Sequence, residues 1–466
     1  MRILKFGGTS VAGPARLRGA ARIVAGALRR DAVLVVVSAQ AGVTDALAAA
    51  TDRGRRAGLI EELTRRHLGG LDAVGGPGAS HAAREVHNLL ANLRSLLDNE
   101  PETDGRPGWR DAVLATGERL SVHLMTAALT AAGLRAGAVD AGSLIATDSG
   151  FGEASVDAKA TRERVRSWLS TFPEGTVPVT AGFIGADAEG RTTTLGRGGS
   201  NYSAAVVGAA LGAEGIEIWT DVEGVLSAPP RIVPEAVPVP ALSFGVAREV
   251  ALLGGKVLHP RTMEPAEAAR IPIAVRSSLA PGRPGTLVGP ASRRTAAARV
   301  VTGLEGVAMV TAAAPAGPQP GASLAACLQE AGITVLGFGQ TGSCHVRIAV
   351  PEGEAERSRE LVAARLGRGP VESRGDQCVV ALVGDGIGTD GEATFARLLD
   401  RLHLPALAVL RRPSPDSVVA VLRGHFLRRA ITTLHETLVL GGPAGGMKAF
   451  THRWDVATPI WQGGRP

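Results

Sequence analysis

The stretch Ile3-Leu4-Lys5-Phe6-Gly7-Gly8-Thr9-Ser10, close to the first residue, decides the fold. A short, mostly apolar run ends at a glycine pair, and residues 16–30 then have helical spacing. A strand, a glycine turn and a helix in this order predict the first unit of an open α/β fold. Glycines let a backbone approach an anion, and Lys5 adds a compact positive charge. Taken alone, the stretch fits an ordinary strand–turn–helix with an exposed lysine equally well.

The alternation of strands and helices continues along the next 270 residues or so. Residues 32–37 form a valine-rich apolar run, which is typical of a strand covered on both faces. Residues 177–195 are predicted to form a hairpin that turns at 187–190. Strands that alternate with helices predict a mainly parallel sheet between two helical layers.

A Pro/Gly-rich segment at 281–289 marks a domain edge, and the pattern then changes to small α+β units. Strand, helix, strand, strand and helix are predicted, in this order, at residues 300–310, 323–331, 333–335, 345–350 and 354–366. A similar order returns between residues 378 and 437, so we predict two related units. The Gly/Pro-rich residues 441–466 receive no fold assignment.

Composition excludes several classes of protein. The chain has 466 residues and a net charge of +6, and no apolar run reaches the roughly 18 residues that a membrane span needs. The first residues lack a signal-peptide pattern, and the three cysteines lack metal-site spacing. The basic residues are dispersed among acids and aromatics are few, which disfavours nucleic-acid binding. We therefore expect a cytoplasmic protein with neither a membrane nor a nucleic-acid partner.

Lysine is rare in this chain, because arginine supplies all but four of the 50 basic residues. The four lysines are Lys5, Lys159, Lys256 and Lys448. An ammonium is smaller and more mobile than a guanidinium, so a lysine that persists in this background invites a functional explanation. Lys5 and Lys256 lie beside glycines, whereas the other two have no such context and are predicted to be surface residues.

A second glycine-rich loop, Gly196-Arg197-Gly198-Gly199-Ser200-Asn201, leads into a predicted helix at 201–213. Such a loop at a helix N-terminus binds anions, because the free N–H groups and the helix dipole both favour negative charge. A capped helix after a flexible turn is the simpler interpretation. Two loops of this type in one α/β domain favour phosphate chemistry.

Polar side chains elsewhere suggest partners for a substrate. Thr220 and Asp221 follow a strand and could contact Mg²⁺ or a nucleotide, although Asp is also common in turns. Glu118, on a predicted helix at 111–132, could bind an ammonium, and Arg197 could bind a carboxylate as a fork. Each of these could equally be an ordinary surface charge.

Taken together, five motifs resemble the aspartate kinase family in their order and spacing. They are Lys5–Val11, Val37–Ala39 with Gly42–Thr44, Thr193–Ser200, Trp219–Val222 and Lys256–Pro260. The resemblance implies a three-layer αβα amino acid kinase domain with a mainly parallel central sheet over residues 1–297. It also implies two α+β, ferredoxin-like ACT domains at 299–373 and 374–440, and a tail at 441–466. The match beyond residue 299 rests on position and pattern.

The resemblance implies transfer of the γ-phosphate of ATP to the side-chain carboxylate of L-aspartate, which gives 4-phospho-L-aspartate. This reaction is the first step of the biosynthetic pathway that leads to lysine, threonine and methionine, or of a specialised branch of that pathway. The reactants would be L-aspartate and MgATP, with Mg²⁺ held by no named protein ligand. An amino-acid effector at the ACT domains and a homo-oligomer, a dimer through those domains, are also implied.

The family motifs assign roles to individual residues. Catalytic roles fall on Lys5, Asn201 and Lys256. Substrate binding falls on Ser38, Thr44, Glu118, Arg197 and Ser200. ATP binding falls on Lys5, Gly7, Gly8, Ser10, Gly198, Gly199, Thr220, Asp221, Arg231 and Lys256. Effector binding falls on Gln340 and Ser343.

The sequence departs from the family pattern at four positions. Asn201 replaces an Asp that organises the catalytic lysines, so we expect retained but reduced activity. Leu226 and Pro229 replace a Tyr and an Asp on the nucleotide side, and Leu336 replaces a polar effector contact. Nucleotide affinity and feedback inhibition are therefore expected to differ. Two alternatives stay open: a catalytically weakened, amino-acid-binding regulatory paralogue, or a kinase for another small carboxylate.

Overall fold

The computed structural model describes residues 1–103, 105–255, 257–290, 298–313, 320–341, 345–367, 369–389 and 391–438. Their contacts divide the chain into two compact units. The first unit comprises residues 1–224 and 261–290, and the second comprises residues 225–260 together with the chain from residue 291 onward. The domain bounds at 297, 373 and 440 stay a prediction.

The described residues form the helices and strands that follow, given in chain order. The helices are α1 Pro14–Leu28, α2 Val43–Ala50, α3 Leu59–Val74, α4 Ala79–Asp98, α5 Arg106–Ala131, α6 Ala141–Leu144, α7 Ala158–Thr171, α8 Gly199–Leu211, α9 Phe244–Leu252, α10 Pro260–Ala268, α11 Pro320–Glu330, α12 Ala355–Leu366, α13 Gly391–Arg401 and α14 Leu427–Leu438. The strands are β1 Arg2–Phe6, β2 Val33–Val37, β3 Ala136–Val139, β4 Val177–Ala181, β5 Ile184–Ala186, β6 Thr192–Thr194, β7 Gly215–Thr220, β8 Ala241–Ser243, β9 Ile273–Ser277, β10 Thr286–Gly289, β11 Val300–Ala313, β12 Gly337–Thr341, β13 His345–Pro351, β14 Val371–Val383, β15 Ala408–Leu410 and β16 Ser417–Arg423.

The first unit is built on a sheet with the strand order β3-β4-β2-β1-β7-β9-β10. Its neighbours pair in parallel from β3 to β9, and β10 runs antiparallel to β9. Every residue of β2 is buried, as the valine-rich run predicts for a strand covered on both faces. The mainly parallel sheet of the predicted fold class is therefore confirmed.

Helices cover both faces of this sheet. On one face, Leu4 and Phe6 of β1 pack in a common core with Leu17 and Val24 of α1. On the other face, Ile3 points to α8, where a Cβ added at Gly208 would lie 3.3 Å from the Ile3 side chain. Successive residues of β1 thus face opposite layers, and the three-layer αβα arrangement is confirmed.

The predicted hairpin at 177–195 is only partly right. Residues 184–186 do pair antiparallel with residues 192–194. β4, however, pairs in parallel with β2 and β3, so it belongs to the main sheet. The chain leaves β4 through Gly182 and Phe183, and Phe183 has a positive φ of 69°, which ends the strand.

The second unit contains a six-stranded antiparallel sheet in the order β12-β13-β11-β14-β16-β15. Two hydrophobic cores flank it, one around α11 and α12 and the other around α13 and α14. The long strand β11 contributes to both cores, through Val301 to the second and Val310 to the first. Two α+β units that share a sheet are consistent with the ACT arrangement.

The strand predicted at 333–335 is wrong by several residues, because the strand in this region is β12 at 337–341. Ile333 and Val335 are apolar because they are buried in the connection from α11. β12 itself contains two glycines, and a Cβ at Gly337 would lie 2.7 Å from the Val419 side chain. Close packing therefore decides the strand here, against the low strand propensity of glycine.

A buried ion pair lies within the second unit, between Glu249 of α9 and Arg412. The Arg412 Nε donates to one carboxylate oxygen at 2.9 Å and Nη2 donates to the other at 3.2 Å. The Ser417 hydroxyl also donates to Glu249, and the Arg412 Nη1 donates to the Val335 carbonyl. Every charged atom of the pair is therefore satisfied.

None of the helices in the described part of the chain is both long and apolar enough to cross a membrane.

Candidate active site

A cavity of about 310 Å³ lies in the first unit, where β1, β2 and β4 reach their C-terminal ends. In open α/β sheets this is the edge at which ligands bind. Its lining brings together eight of the predicted site residues, with Phe183 and Gly196. The lining residues are Lys5, Ser38, Thr44, Glu118, Phe183, Gly196, Gly198, Gly199, Ser200 and Asn201.

Lys5 reaches the cavity from the buried strand β1. Its neighbours across the sheet are Val36 of β2 and Ile218 of β7, so its backbone is fixed on both sides. The side chain is 7% exposed. This burial lowers the pKa of Lys5 to about 8, because the charged form loses its hydration, while the nearby Glu118 carboxylate opposes the shift.

Glu118 reaches the same cavity from the long helix α5 and is 3% exposed. Burial raises the pKa of Glu118 to about 7, although the Ala39 N–H and the charge of Lys5 favour its ionised form. Its Oε2 atom is buried and makes no hydrogen bond to any residue that the structure describes. A buried carboxylate oxygen with no partner beside a cavity is suited to an incoming cation.

The opposite charges of Lys5 and Glu118 therefore lie beside one cavity, and the two side chains form no ion pair with each other. Their pKa shifts are both dominated by burial, and the attraction between them is the smaller contribution. Perturbed pKa values of this type cluster at functional sites. The arrangement can hold a cation near Glu118 and an anion near Lys5.

The glycine-rich loop before α8 closes another side of the cavity. Gly196 and Gly198 have φ values of 71° and 70°, which only glycine adopts readily. Gly182, after β4, lies so close to α8 that a Cβ there would be 2.6 Å from the Ser200 Cβ. The loop and the start of α8 are therefore held against the end of β4, with the helix N-terminus at the cavity.

Two residues that sequence reasoning missed anchor this loop. Asp111 of α5, which is 1% exposed, accepts from the Thr194 N–H at 2.7 Å, the Thr194 hydroxyl at 3.0 Å and the Gly152 N–H at 2.9 Å. Arg119 donates to the Thr192 hydroxyl at 2.9 Å. Asp111 lies two helical turns before Glu118, so the two side chains lie on the same face of α5. This spacing is the signal in the sequence that could have identified Asp111.

Asn201 is the third residue of α8, and its buried Oδ1 atom has no hydrogen-bond partner among the described residues. Ser38 follows β2, and Thr44 lies in the first turn of α2. These residues bring acceptors and hydroxyl groups to the cavity that Lys5 and Glu118 share. Arg197 is exposed and its side chain does not line the cavity, although Gly196 and Gly198 on either side do.

Other predicted residues lie outside this cavity. The Gly7 N–H donates to the Trp219 carbonyl at 2.9 Å. The Ser10 hydroxyl, which is buried, bonds to the Ser278 hydroxyl at 2.7 Å and donates to the Trp219 carbonyl at 3.2 Å. Thr220 ends β7 and Asp221 follows it, and the Thr220 hydroxyl donates to the Asp221 carboxylate at 3.0 Å.

The remaining predicted residues belong to the second unit or fall outside the described residues. Arg231 is exposed in the second unit. Gln340 is exposed on β12, and Leu336 just before that strand is buried. Lys256 and Ser343 lie outside the described residues.

Among the described residues there is no group of three or more His, Cys, Asp or Glu side chains that could hold a metal ion. A Mg²⁺ ion that keeps most of its ligands as phosphate oxygens and water needs only one or two carboxylates. The exposed Asp221 at the end of β7 has the right chemistry for such a contact.

The family model described as the amino acid kinase family matches residues 1–277. The chain belongs to this family. It is 37% identical over 290 residues to lysine-sensitive aspartokinase 3 of Escherichia coli, across 61% of this chain and 63% of that protein. It is 29% identical over 477 residues to a bifunctional aspartokinase/homoserine dehydrogenase of Haemophilus influenzae, across 94% of this chain and 56% of that protein. The chain thus spans little more than half the length of these relatives.

Solved structures extend the similarity to the second unit. E. coli aspartokinase III in complex with aspartate and ADP matches with a TM-score of 0.79 and 28% identity, across 94% of this chain and 99% of that one. Aspartate kinase of Clostridium acetobutylicum matches with a TM-score of 0.73 at 20% identity, which supports the fold alone. The fold of this amino acid kinase is therefore shared beyond the residues that the family model matches.

Proposed function

We propose that this chain is an ATP:L-aspartate 4-phosphotransferase, which forms 4-phospho-L-aspartate. The observation that carries the proposal is the cavity in which buried Lys5 and Glu118 face a glycine-rich loop and the start of α8. It offers a carboxylate for the ammonium of an amino acid and a cation for a transferring phosphoryl group. The similarity to an aspartokinase solved with aspartate and ADP supports this choice of substrates.

The roles of the residues follow from the charges of the reactants. Both aspartate and ATP are anionic, so catalysis depends on positioning and on cations that offset their repulsion. Glu118 would bind the aspartate ammonium, and Arg197 would turn inward to bind the α-carboxylate. Ser38, Thr44 and Ser200 would complete the pocket around the side-chain carboxylate. Lys5 would hold the phosphoryl group as it passes between the two oxygens.

Within the first unit, the nucleotide would be bound by Gly8, Gly198 and Gly199 and by Thr220 and Asp221. The helix dipole of α8 favours negative charge at its N-terminus, which lies at the cavity. Mg²⁺ would enter with ATP as part of the substrate, bridging phosphate oxygens and neutralising their charge.

The second unit would serve regulation and assembly. Two α+β units that share one sheet would act as ACT domains, and Gln340 and Ser343 would contact an amino-acid effector. The E. coli aspartokinase III structure with lysine and aspartate supports the effector proposal, since it matches 94% of this chain. A homodimer through these domains, in the cytoplasm, completes the proposal.

An assay of nucleotide consumption tests the function. The whole chain is incubated with MgATP and, in separate reactions, aspartate, glutamate or N-acetylglutamate, and ADP release is followed. We expect ADP release with aspartate but not with glutamate or N-acetylglutamate. ADP release with one of the other two carboxylates instead would show that this carboxylate is the substrate. Tight amino-acid binding without turnover would identify a regulatory paralogue, which the loss of a charge at Asn201 favours as the second candidate.

A further inference from the structure

Arg261, in the first turn of α10, belongs to the first unit and holds two separate stretches of its backbone together. Its Nη1 atom donates to the Leu195 carbonyl at 3.1 Å, and its Nη2 atom donates to the Ala154 carbonyl at 3.3 Å. Leu195 and Ala154 are fully buried, and the Ala154 N–H donates to the Thr194 carbonyl at 2.9 Å. The guanidinium therefore closes a junction between the chain at 154 and the chain at 194–195.

The same guanidinium lies over an aromatic ring on α8. The Arg261 Cζ atom is 4.8 Å from the centroid of the Tyr202 ring. Leu195 and Tyr202 are the residues on either side of residues 196–201, called the 196–201 segment here. Five of the six residues in this segment line the cavity that Lys5 and Glu118 share, whereas Arg261 does not. Arg261 thus contacts the chain at both ends of the segment.

The junction is held from a second side by α5. Asp111 accepts from Thr194 and from the Gly152 N–H, so it binds the same two stretches of chain as Arg261. The Leu195 N–H in turn donates to the carbonyl of Phe183, which also lines the cavity, at 2.9 Å. A displacement of Leu195 would therefore change the cavity both at the 196–201 segment and at Phe183.

Charge alone does not account for an arginine at this position. Its ionic partner is Glu153, at 3.8 Å, and the Glu153 side chain is 76% exposed, so the pair adds little to stability. A guanidinium, however, offers several N–H donors in one plane and a flat face that stacks on an aromatic ring. Gly196, directly after Leu195, has a φ of 71° and leaves the backbone free to rotate unless neighbours hold it.

We propose that Arg261 is a positioning residue, which fixes the 196–201 segment at the cavity and so aligns aspartate with the transferring phosphoryl group. Arg261 touches neither reactant; it acts through the Leu195 carbonyl and the Tyr202 ring. Asp111 supports the same junction from the opposite side. The inference rests on the proposed function for the identity of the reactants.

Steady-state kinetics with aspartate and MgATP test the proposal on the whole chain. We expect Arg261→Ala to lower kcat about 10–100-fold, because a shift of about 1 Å in a positioning group has an effect of this size. Arg261→Lys should lose nearly as much, since one ammonium lacks the planar fork and the stacking face. Tyr202→Phe keeps the ring and should retain most of the activity, whereas Tyr202→Leu should lose part of it.

Arg164→Ala is the matched control for stability. Arg164 of α7 also donates to main-chain carbonyls, those of Gly142 at 2.9 Å, Ala186 at 3.4 Å and Ile145 at 3.5 Å, and none of these residues lines the cavity. We expect Arg164→Ala to lower the melting temperature about as much as Arg261→Ala, with kcat unchanged. Equal losses of kcat in the two variants, at a temperature where both are folded, would overturn the proposal.

Amide hydrogen exchange, followed by mass spectrometry, tests the position of the segment independently of the reaction. Arg261→Ala should raise exchange in peptides that cover residues 196–203, and Arg164→Ala should not. Unchanged exchange there in Arg261→Ala would overturn the proposal. A wild-type chain without aspartate-dependent turnover would contradict the proposed function instead, and the exchange data would still decide whether Arg261 holds the segment.

Discussion

Two sets of buried charges in this chain have opposite character. Arg412 and Glu249, in the second unit, form a bidentate pair whose remaining groups bond to Ser417 and to the Val335 carbonyl. Lys5 and Glu118, in the first unit, are as deeply buried, but one oxygen of Glu118 has no partner in the part of the chain that the structure describes. Burial is also the first cause of the pKa shift at both Lys5 and Glu118.

The difference separates a structural pair from a candidate site. Satisfied buried charges fix an arrangement of the chain, and their loss is a matter of stability. Unsatisfied charges beside a cavity are destabilising until a ligand supplies the missing partners. The predictions below test this contrast, from the largest expected effect to the smallest.

Breaking the satisfied pair should have the largest effect. Arg412→Met leaves the Glu249 carboxylate buried and unpaired, which should lower the free energy of unfolding by about 3–5 kcal/mol. Denaturant titration measures this loss. The double variant Glu249→Leu/Arg412→Met should recover most of it, because two apolar side chains replace the pair. A single variant as stable as the wild type would refute the structural assignment.

Lys5→Arg should lower kcat by about 10²–10³-fold with little change in stability, because a bulkier guanidinium misplaces the cation that offsets developing charge. Steady-state kinetics with aspartate and MgATP measure the loss. Lys159→Arg is the matched control, since Lys159 is exposed on α7, and it should retain full activity. Lys256→Arg should also lose activity. Equal rates for Lys5→Arg and Lys159→Arg would disprove the assigned role of Lys5.

Glu118→Gln should raise the KM for aspartate about 10–100-fold, because a charge-assisted hydrogen bond to the ammonium is lost. The KM for MgATP should be unchanged. Initial rates at varied concentrations of each substrate separate the two constants. A rise confined to the KM for MgATP would place the ammonium elsewhere.

The pH dependence follows from the same pair. Turnover needs ionised Glu118, with a pKa of about 7, to bind the aspartate ammonium, and protonated Lys5, with a pKa of about 8, to hold the phosphoryl group. For the wild type, kcat/KM for aspartate should rise through pH 7 and fall beyond pH 8, and Glu118→Gln should lack the acid limb. The raised pKa of Glu118 also means that its contribution to stability is lost as the pH rises from about 4.5 to 7. Glu118→Gln should not show this loss.

The smallest effect is expected from Asn201→Asp. A carboxylate in the first turn of α8 faces the positive end of the helix dipole and compensates the catalytic lysines. We expect turnover to rise about two- to tenfold, with a gain in stability of about 0.3–1 kcal/mol. Parallel kinetics and thermal unfolding measure both. Unchanged or lower turnover would show that Asn201 is not the weak point of this site.

Local patterns were sufficient to predict the layers of the first unit. The run of β1 and the valines of β2 predict buried strands because burial on both faces demands apolar side chains. Patterns failed where packing overrides propensity. β12 is a strand although it contains two glycines, because Gly337 packs against Val419. The end of β4 is set by the positive φ of Phe183, which no local signal announces.

For the candidate site, the sequence predicts a set of residues but not their geometry. The motifs place Lys5, Ser38, Thr44 and Ser200 in one family pattern, and the structure brings these four to one cavity. Sequence reasoning missed Asp111 because α5 is buried on most sides. Its polar and apolar residues do not separate into two faces, so a buried carboxylate does not stand out in the sequence. Arg197 is exposed in the loop before α8, and no local pattern in the sequence predicts this.

The most direct test of the central claim is to trap the product. The whole chain is incubated with aspartate, MgATP and hydroxylamine, which converts an acyl phosphate into a hydroxamate, and the product is identified by mass spectrometry. The account predicts the 4-hydroxamate of aspartate in the wild type and its near absence with Lys5→Arg. An active wild type that gives the α-carboxylate hydroxamate, or no hydroxamate at all, would contradict the account.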